Sequence, residues 1–264
     1  MKDLILSNLP GDFPWQIHWF DTIDSTNDKA KAMAAAGAPH GTVLVASQQT
    51  KGRGRMGRSF SSPEGKGVYL SAILRPDCPA DKLMHLTCAA GVAMCDAVEA
   101  VCGARPGLKW INDLIINGRK LGGILTELSV DPATGNVNYA VIGIGINCSQ
   151  AAEDFPEEIQ DIAISLQSAT GKSISTDTLA AAMIHALYRM DKHLLLRQQD
   201  IIHSYKKDCV TIGKEVLLHN SNGIRQATAL DITPDGGLIV KFSDGSAETV
   251  CTGEVSVRGI CGYV

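Results

Sequence analysis

The stretch LKWINDLIINGRKLGGILTE, Leu108 to Glu127, reads as strand, hairpin and strand. Asn117-Gly118 supplies the residue pair that a tight turn with positive φ demands, and apolar residues flank it on both sides. Lys109, Asn112, Asp113, Arg119, Lys120 and Glu127 interrupt that apolar background. Polar groups on core strands are costly unless paired, so their presence favours function over plain packing. Lys120 directly precedes Leu121-Gly122-Gly123, where missing side chains leave room for a ligand against the sheet.

Downstream, VNYAVIGIGINC (Val137 to Cys148) is a nearly all-apolar strand of the kind buried on both faces. Its segment GIGIN, Gly143 to Asn147, again implies close approach to the backbone, and Asn147 could bond an adenine or sugar edge. Upstream, GVYLSAILR (Gly67 to Arg75) and TVLVAS (Thr42 to Ser47) are strands. Asp24-Ser25 caps an Ala-rich helix that Gly37 stops. Ala80 to Cys102 reads as one long helix, with Cys88, Cys95 and Cys102 on one buried face. Further helices are expected through Pro156 to Ser168 and from Thr176 to about Lys207. Beyond Cys209 the pattern changes to EVLLH, RQATALDI, LIVKF, AETVC and EVSVRG, split by turn signals at Asn222-Gly223, Asp235-Gly236-Gly237 and Asp244-Gly245. Short strands at that spacing predict a small barrel. The expected class is α+β, with a mixed-sheet domain over residues 1–207 and a barrel over 208–264.

Between the strands ending at Ser47 and beginning at Gly67 lies QTKGRGRMGRSF, Gln49 to Phe60. Lys51, Arg53, Arg55 and Arg58 concentrate cations in a chain whose formal net charge is −4. Gly52, Gly54 and Gly57 let the backbone approach a ligand closely. Guanidinium forks with exposed N–H groups suit a carboxylate or a phosphate. The GxGxxG spacing of those glycines is a decoy for dinucleotide binding, since Pro63, Gly65 and Gly67 forbid the helix that should follow. Gly171-Lys172-Ser173 fails as a phosphate loop, because Leu166 stands where the first glycine should be.

The 264 residues are 45% hydrophobic and 20% charged, which excludes disorder. No apolar run is read as approaching the ~18 to 20 residues that span a bilayer, and the N-terminus lacks a secretory signal pattern. Eight cysteines without a CxxC pair argue against structural zinc and for a reducing, cytoplasmic setting. The seven histidines form no metal-ligand spacing. Net negative charge, five Phe and five Tyr make a nucleic-acid module improbable.

Taken together, DSTN (Asp24 to Asn27), QTKGRGRMGR (Gln49 to Arg58), KWIND (Lys109 to Asp113), GRKLGGILTE (Gly118 to Glu127) and GIGIN resemble the biotin–protein ligase family in order and spacing. Lipoate ligases are similar in fold, but their motifs differ. The resemblance implies a catalytic domain like class II aminoacyl-tRNA synthetases, followed by an SH3-like domain. It implies joining of biotin to ATP with Mg2+, giving biotinyl-5′-adenylate, and transfer to one lysine of a biotin carboxyl carrier protein. Only 23 residues precede DSTN, so a ligase without a DNA-binding domain is expected. No nucleic acid or membrane partner is expected, and the oligomeric state, a homodimer included, stays open.

The family match assigns Ser25, Thr26, Asn27 and Gln49 to the biotin pocket, with Arg53, Gly54, Arg55, Lys120, Gly122 and Gly123 around the valeryl chain and carboxylate. Gly52, Arg55, Arg58, Phe60, Asn112, Lys120 and Asn147 fall to the nucleotide, with Phe60 as the stacking ring. Lys120, Arg53 and Arg55 are the expected catalytic cations. Asp113 is a fourth catalytic candidate, to orient or deprotonate the carrier amine, to hold magnesium or to hold the loop. No protein metal ligand is assigned, magnesium being carried by the ATP phosphates. Residues 50–66 are expected to be mobile without ligand. The sequence departs from the family pattern at Ile111, where many relatives have Pro, and at Lys51, where Ala is more common.

Overall fold

The structure, a computed structural model, describes residues 2–220, 223–251 and 256–259. Seven strands form one mixed sheet: β1 (Gln16–Ile23), β2 (Thr42–Gln49), β3 (Gly67–Leu74), β4 (Gly107–Lys109), β5 (Asp113–Ile116), β6 (Arg119–Val130) and β7 (Val137–Asn147). Their order is β1-β2-β3-β7-β6-β5-β4. β1 and β2 are parallel, and every other neighbouring pair is antiparallel. The helices are α1 (Lys2–Ser7), α2 (Thr26–Ala35), α3 (Leu86–Cys102), α4 (Leu166–Thr170), α5 (Thr176–His193) and α6 (Gln198–Asp208).

The two faces of the sheet follow the strand period of two. Val43, Val45, Leu70 and Ala72 point into the main core with α3 and α5. Leu44, Ile73 and Val141 point the other way, onto Ala30 and Ala34 of α2. Those alanines let α2 lie close to the sheet, and its start is fixed by Ser25, whose Oγ accepts the Asp28 N–H at 3.3 Å. The turn between β5 and β6 takes φ of 51° at Asn117 and 72° at Gly118, as the dipeptide predicts.

Three helix boundaries differ from the sequence reading. Ala80–Leu83 is a 3-10 turn, and α3 begins only at Leu86. The break sits at His85, whose buried ring bonds the Leu194 carbonyl at 2.9 Å. The same carbonyl ends α5, so Thr176 to Lys207 is two helices separated by a turn. Pro156 to Ser168 is not helical throughout, because Ile162 and Ile164 give their backbone bonds to Lys120 and run beside it. The expectation that no segment approaches membrane length also needs correction. Ala80–Cys102 is long and apolar enough by composition, yet it lies mostly buried in the core, where Cys88, Cys95 and Cys102 pack.

The C-terminal strands β8 (Glu215–Asn220), β9 (Gly223–Ile232), β10 (Leu238–Lys241), β11 (Ala247–Val250) and β12 (Ser256–Gly259) form an antiparallel sheet in the order β11-β10-β9-β8-β12. This is the predicted α+β class, a mixed sheet with helices followed by a small antiparallel sheet consistent with the expected SH3-like unit. Asn222 of the first predicted turn, Glu254 and Val255 of the last predicted strand, and Cys261 lie outside the described residues. Three bonds tie the small sheet to the strand that carries the KWIND motif: Val210 N–H to the Leu108 carbonyl, Trp110 N–H to Thr211 Oγ1, and Trp110 Nε1–H to the Gly236 carbonyl, each 2.9 Å.

Candidate active site

Beyond the N-terminus of α2, the sheet face that α2 covers elsewhere is bare. Gly123 on β6 and Gly143 and Gly145 on β7 share that face, and they floor a cavity of about 620 Å³. Side chains from outside the sheet fill the space those glycines leave. A Cβ on Gly143 would run into Asn27 Oδ1, and one on Gly145 into the Phe60 ring. The cavity is in the range typical of small-molecule sites.

The Arg-rich segment forms the roof. It closes on itself through Gly54 N–H to the Arg58 carbonyl at 2.7 Å and Phe60 N–H to the Gly52 carbonyl at 2.9 Å. Met56 and Gly57 turn its tip with φ of 56° and 74°. Arg55 points inward. Its Nη1 donates to Asn112 Oδ1 at 3.2 Å, and its buried Nη2 has no hydrogen-bond partner among the described residues. Burial pushes the Arg55 pKa down, against the pull of the Asp113 charge. Lys120 enters from the opposite wall and pairs with Asp113, Nζ to Oδ1 being 2.6 Å. The Trp110–Ile111 peptide beneath them is cis.

The polar end of the cavity is closely bonded. Gln49 Oε1 accepts from Thr26 N–H at 2.8 Å and Thr26 Oγ1 at 3.0 Å, while Gln49 Nε2 donates to Ser62 Oγ at 2.9 Å. The fully buried Ser71 Oγ lies 2.8 Å from Thr26 Oγ1 and 2.6 Å from Asn27 Oδ1. The Asn27 amide donates to Glu127 Oε2 at 3.0 Å. Hydroxyl and amide groups keep further donors and acceptors after such bonds, so a ligand can still be bound by a pre-set polar wall.

Most of the residues that the sequence singles out meet here: Ser25, Thr26, Asn27, Gln49, Arg53, Gly54, Arg55, Arg58, Phe60, Asn112, Asp113, Lys120 and Gly123 all line the cavity. Gly52, Gly122 and Asn147 do not. Gly52 packs under Phe60 and Ser62, and Gly122 packs against the Gly145 carbonyl. Asn147 is buried behind the site, its amide donating to the Ile164 carbonyl at 3.1 Å and accepting from Gln150 at 3.2 Å. Sequence reasoning missed Trp110, Ile162 and Ser71. Ser71 alone left a signal, as a hydroxyl inside the apolar run GVYLSAIL.

Beside the roof, Lys31 bridges Asp28 at 3.0 Å and Glu127 at 2.8 Å. Burial raises the pKa of both acids, but hydrogen bonds from Lys31 (and from Asn27 to Glu127) with the Arg53 and Lys31 charges hold them below their ordinary 3.8 and 4.5. A carboxylate depressed in the folded state contributes stability above its unfolded pKa, and that stability is lost as pH falls through the folded value. The melting temperature should therefore drop below about pH 4, and Glu127→Gln should flatten this part of the curve. Thermal denaturation from about pH 6 to pH 3 checks it; equal slopes in both proteins would deny Glu127 the role.

Residues 19–147 match the Biotin/lipoate A/B protein ligase family, and residues 211–258 match the Biotin protein ligase C terminal domain. The chain is 39% identical over 233 residues to the Bifunctional ligase/repressor BirA of Bacillus spizizenii, covering 85% of this chain and 69% of that one. The chain belongs to the biotin protein ligase family. A second member, the Biotin–[acetyl-CoA-carboxylase] ligase of Mycobacterium tuberculosis, is 32% identical over 237 residues, 88% of this chain and 85% of its own length. Among solved structures of the family, the biotin protein ligase from Aquifex aeolicus in complex with biotin and ATP superposes with a TM-score of 0.78 at 28% identity, covering 94% of this chain and all of that one.

Proposed function

We propose that this chain is an ATP-dependent biotin–[acetyl-CoA-carboxylase] ligase. The observation that carries the reading is a single cavity where the buried, unpartnered Nη2 of Arg55 and the ammonium of Lys120 face one space. A buried donor without a partner costs about 1–3 kcal/mol, and an anionic ligand group relieves that penalty. Biotin's carboxylate and the ATP α-phosphate repel each other, yet one carboxylate oxygen must attack phosphorus while pyrophosphate leaves. Cations fixed on both sides of that contact lower the barrier.

In this reading Ser25, Thr26 and Gln49 bind the ureido ring, with Asn27 behind them, and Arg53 and Gly54 cover the valeryl chain. Arg55 and Lys120 meet the reacting carboxylate and α-phosphate, and Arg58 faces the departing pyrophosphate. Phe60 and Asn112 serve the adenosine. Gly52, Gly122 and Asn147 support the walls from behind. Asp113 orients the Lys120 ammonium. In the second step a lysine amine of a biotin carboxyl carrier protein attacks the anhydride carbonyl, loses its proton, and expels AMP. Magnesium enters as the complex of the ATP phosphates. We place the division between catalytic and C-terminal units near residue 208. A cytoplasmic setting is favoured by the seven described cysteines, all free thiols.

The test is pyrophosphate exchange into ATP with biotin, with lipoate and with neither. Exchange with biotin alone is expected. Exchange with lipoate alone would move the specificity, and no exchange from folded protein with magnesium would overturn the reading.

A further inference from the structure

Three elements meet in one charge network at the edge of the cavity. Arg53, in the roof, sets Nη1 2.5 Å from Asp28 Oδ1 on α2 and 3.4 Å from both Glu127 oxygens on β6. Lys31 sits between the same two acids. Glu127 Oε2 also holds the Asn27 amide. One carboxylate thus joins the roof, the helix that starts the polar wall and the strand that carries Lys120.

Two acids beside a site for a carboxylate and three phosphates weaken anion binding, so their place there needs a reason. Shared between them, the Arg53 guanidinium is largely neutralised toward any ligand and fixed in position. Networks of several partly buried charges hold geometry better than isolated surface pairs. The bonds from Gly54 and Phe60 close the roof only on itself. Arg53 joins the roof to α2 and β6.

We propose that Asp28 and Glu127 are positioning residues for the ligase reaction, latching Arg53 and with it the roof over residues 52–60, while Arg55 and Lys120 remain the cations that meet the reacting groups. This rests on the ligase reading. Release of biotin or of the adenylate requires the roof to lift, and lifting breaks the Arg53 bonds. The latch therefore acts on retention of the acid and its adenylate more than on the chemical step.

The experiment compares Asp28→Asn, Glu127→Gln and Arg53→Gln with the combined Arg53→Gln/Glu127→Gln variant in biotin-dependent pyrophosphate exchange and in release of labelled biotinyl-adenylate. Each single change should raise KM for biotin and speed adenylate release about tenfold, the effect of one charge-assisted bond, with a smaller fall in kcat. The combined variant should be no worse than Arg53→Gln alone. Additive losses, or unchanged KM and release in active Asp28→Asn and Glu127→Gln, would overturn the latch. Asp28→Asn, at a half-exposed helix position, keeps the test open if Glu127→Gln does not fold. Wild-type protein without biotin-dependent exchange would remove the ligase reading and the latch together, whereas normal wild-type exchange with unaltered variants removes the latch alone.

Discussion

Lys120→Met lowers biotin-dependent pyrophosphate exchange by about 10² to 10³, the effect of deleting one preorganised charge from a transition state, and leaves a folded protein. The size follows from how firmly this ammonium is placed. Lys120 N–H donates to the Ile162 carbonyl at 2.6 Å, and the Lys120 carbonyl accepts from Ile164 N–H at 2.9 Å, so backbone on a second side fixes the base of the side chain. Asp113 fixes its tip. Methionine keeps most of the stem and removes the charge. It also takes one cation away from the Asp113 carboxylate, which by itself disturbs the site. The double variant Lys120→Met/Asp113→Asn separates the two causes. If the missing cation matters, the double variant stays as slow as the single one. Recovery to within about tenfold would make the altered charge balance at Asp113 the cause and transfer the electrostatic role to Arg55.

What the sequence revealed of this site and what it hid follow from distance along the chain. Arg53 to Phe60 and Lys109 to Asp113 were legible because their chemistry is local: cations and glycines packed in one loop, polar residues breaking an apolar strand. The hairpin at Asn117-Gly118 and the cap at Ser25 were legible for the same reason. Ile162 was not, because a strand-like stretch 42 residues after Lys120 reaches the site only through backbone bonds to it. The break of the long helix at Leu194 was hidden likewise, as it depends on a bond from His85, 109 residues earlier. The GIGIN motif points Asn147 at the nucleotide, whereas its amide is engaged by Ile164 and Gln150. The Arg-rich loop and the family match present Arg53 as a ligand cation, whereas the acids that hold it come from α2 and β6, distant in sequence.

Gly122 and Gly123 stood together in the sequence as one binding surface, and adjacent strand residues face opposite ways, so alanine at each should fail differently. At Gly122 a Cβ would overlap the Gly145 carbonyl and press on Ile146 Cα at 3.2 Å and Cγ1 at 3.3 Å. A backbone carbonyl in the centre of a sheet cannot swing aside as a flexible side chain can. Gly122→Ala should therefore lose about 3 kcal/mol or more of stability, roughly 6–12 °C in melting temperature. At Gly123 the nearest atoms to a Cβ are Asp113 Oδ1 and Lys120 Cε and Nζ, all at 3.5 Å, which is ordinary contact. Gly123→Ala should melt within about 2 °C of the parent, since restricting the unfolded chain even favours alanine. Its methyl group, however, stands on the cavity floor beside the Lys120–Asp113 pair. KM for biotin or ATP should rise by about tenfold or more as the bound ligand is lifted by even part of a carbon radius. Calorimetry and exchange kinetics on the two proteins decide the matter. A stable Gly122→Ala with impaired binding would put that residue on the ligand side of the sheet, and a Gly123→Ala with parental kinetics would mean that the reacting groups do not meet on this floor.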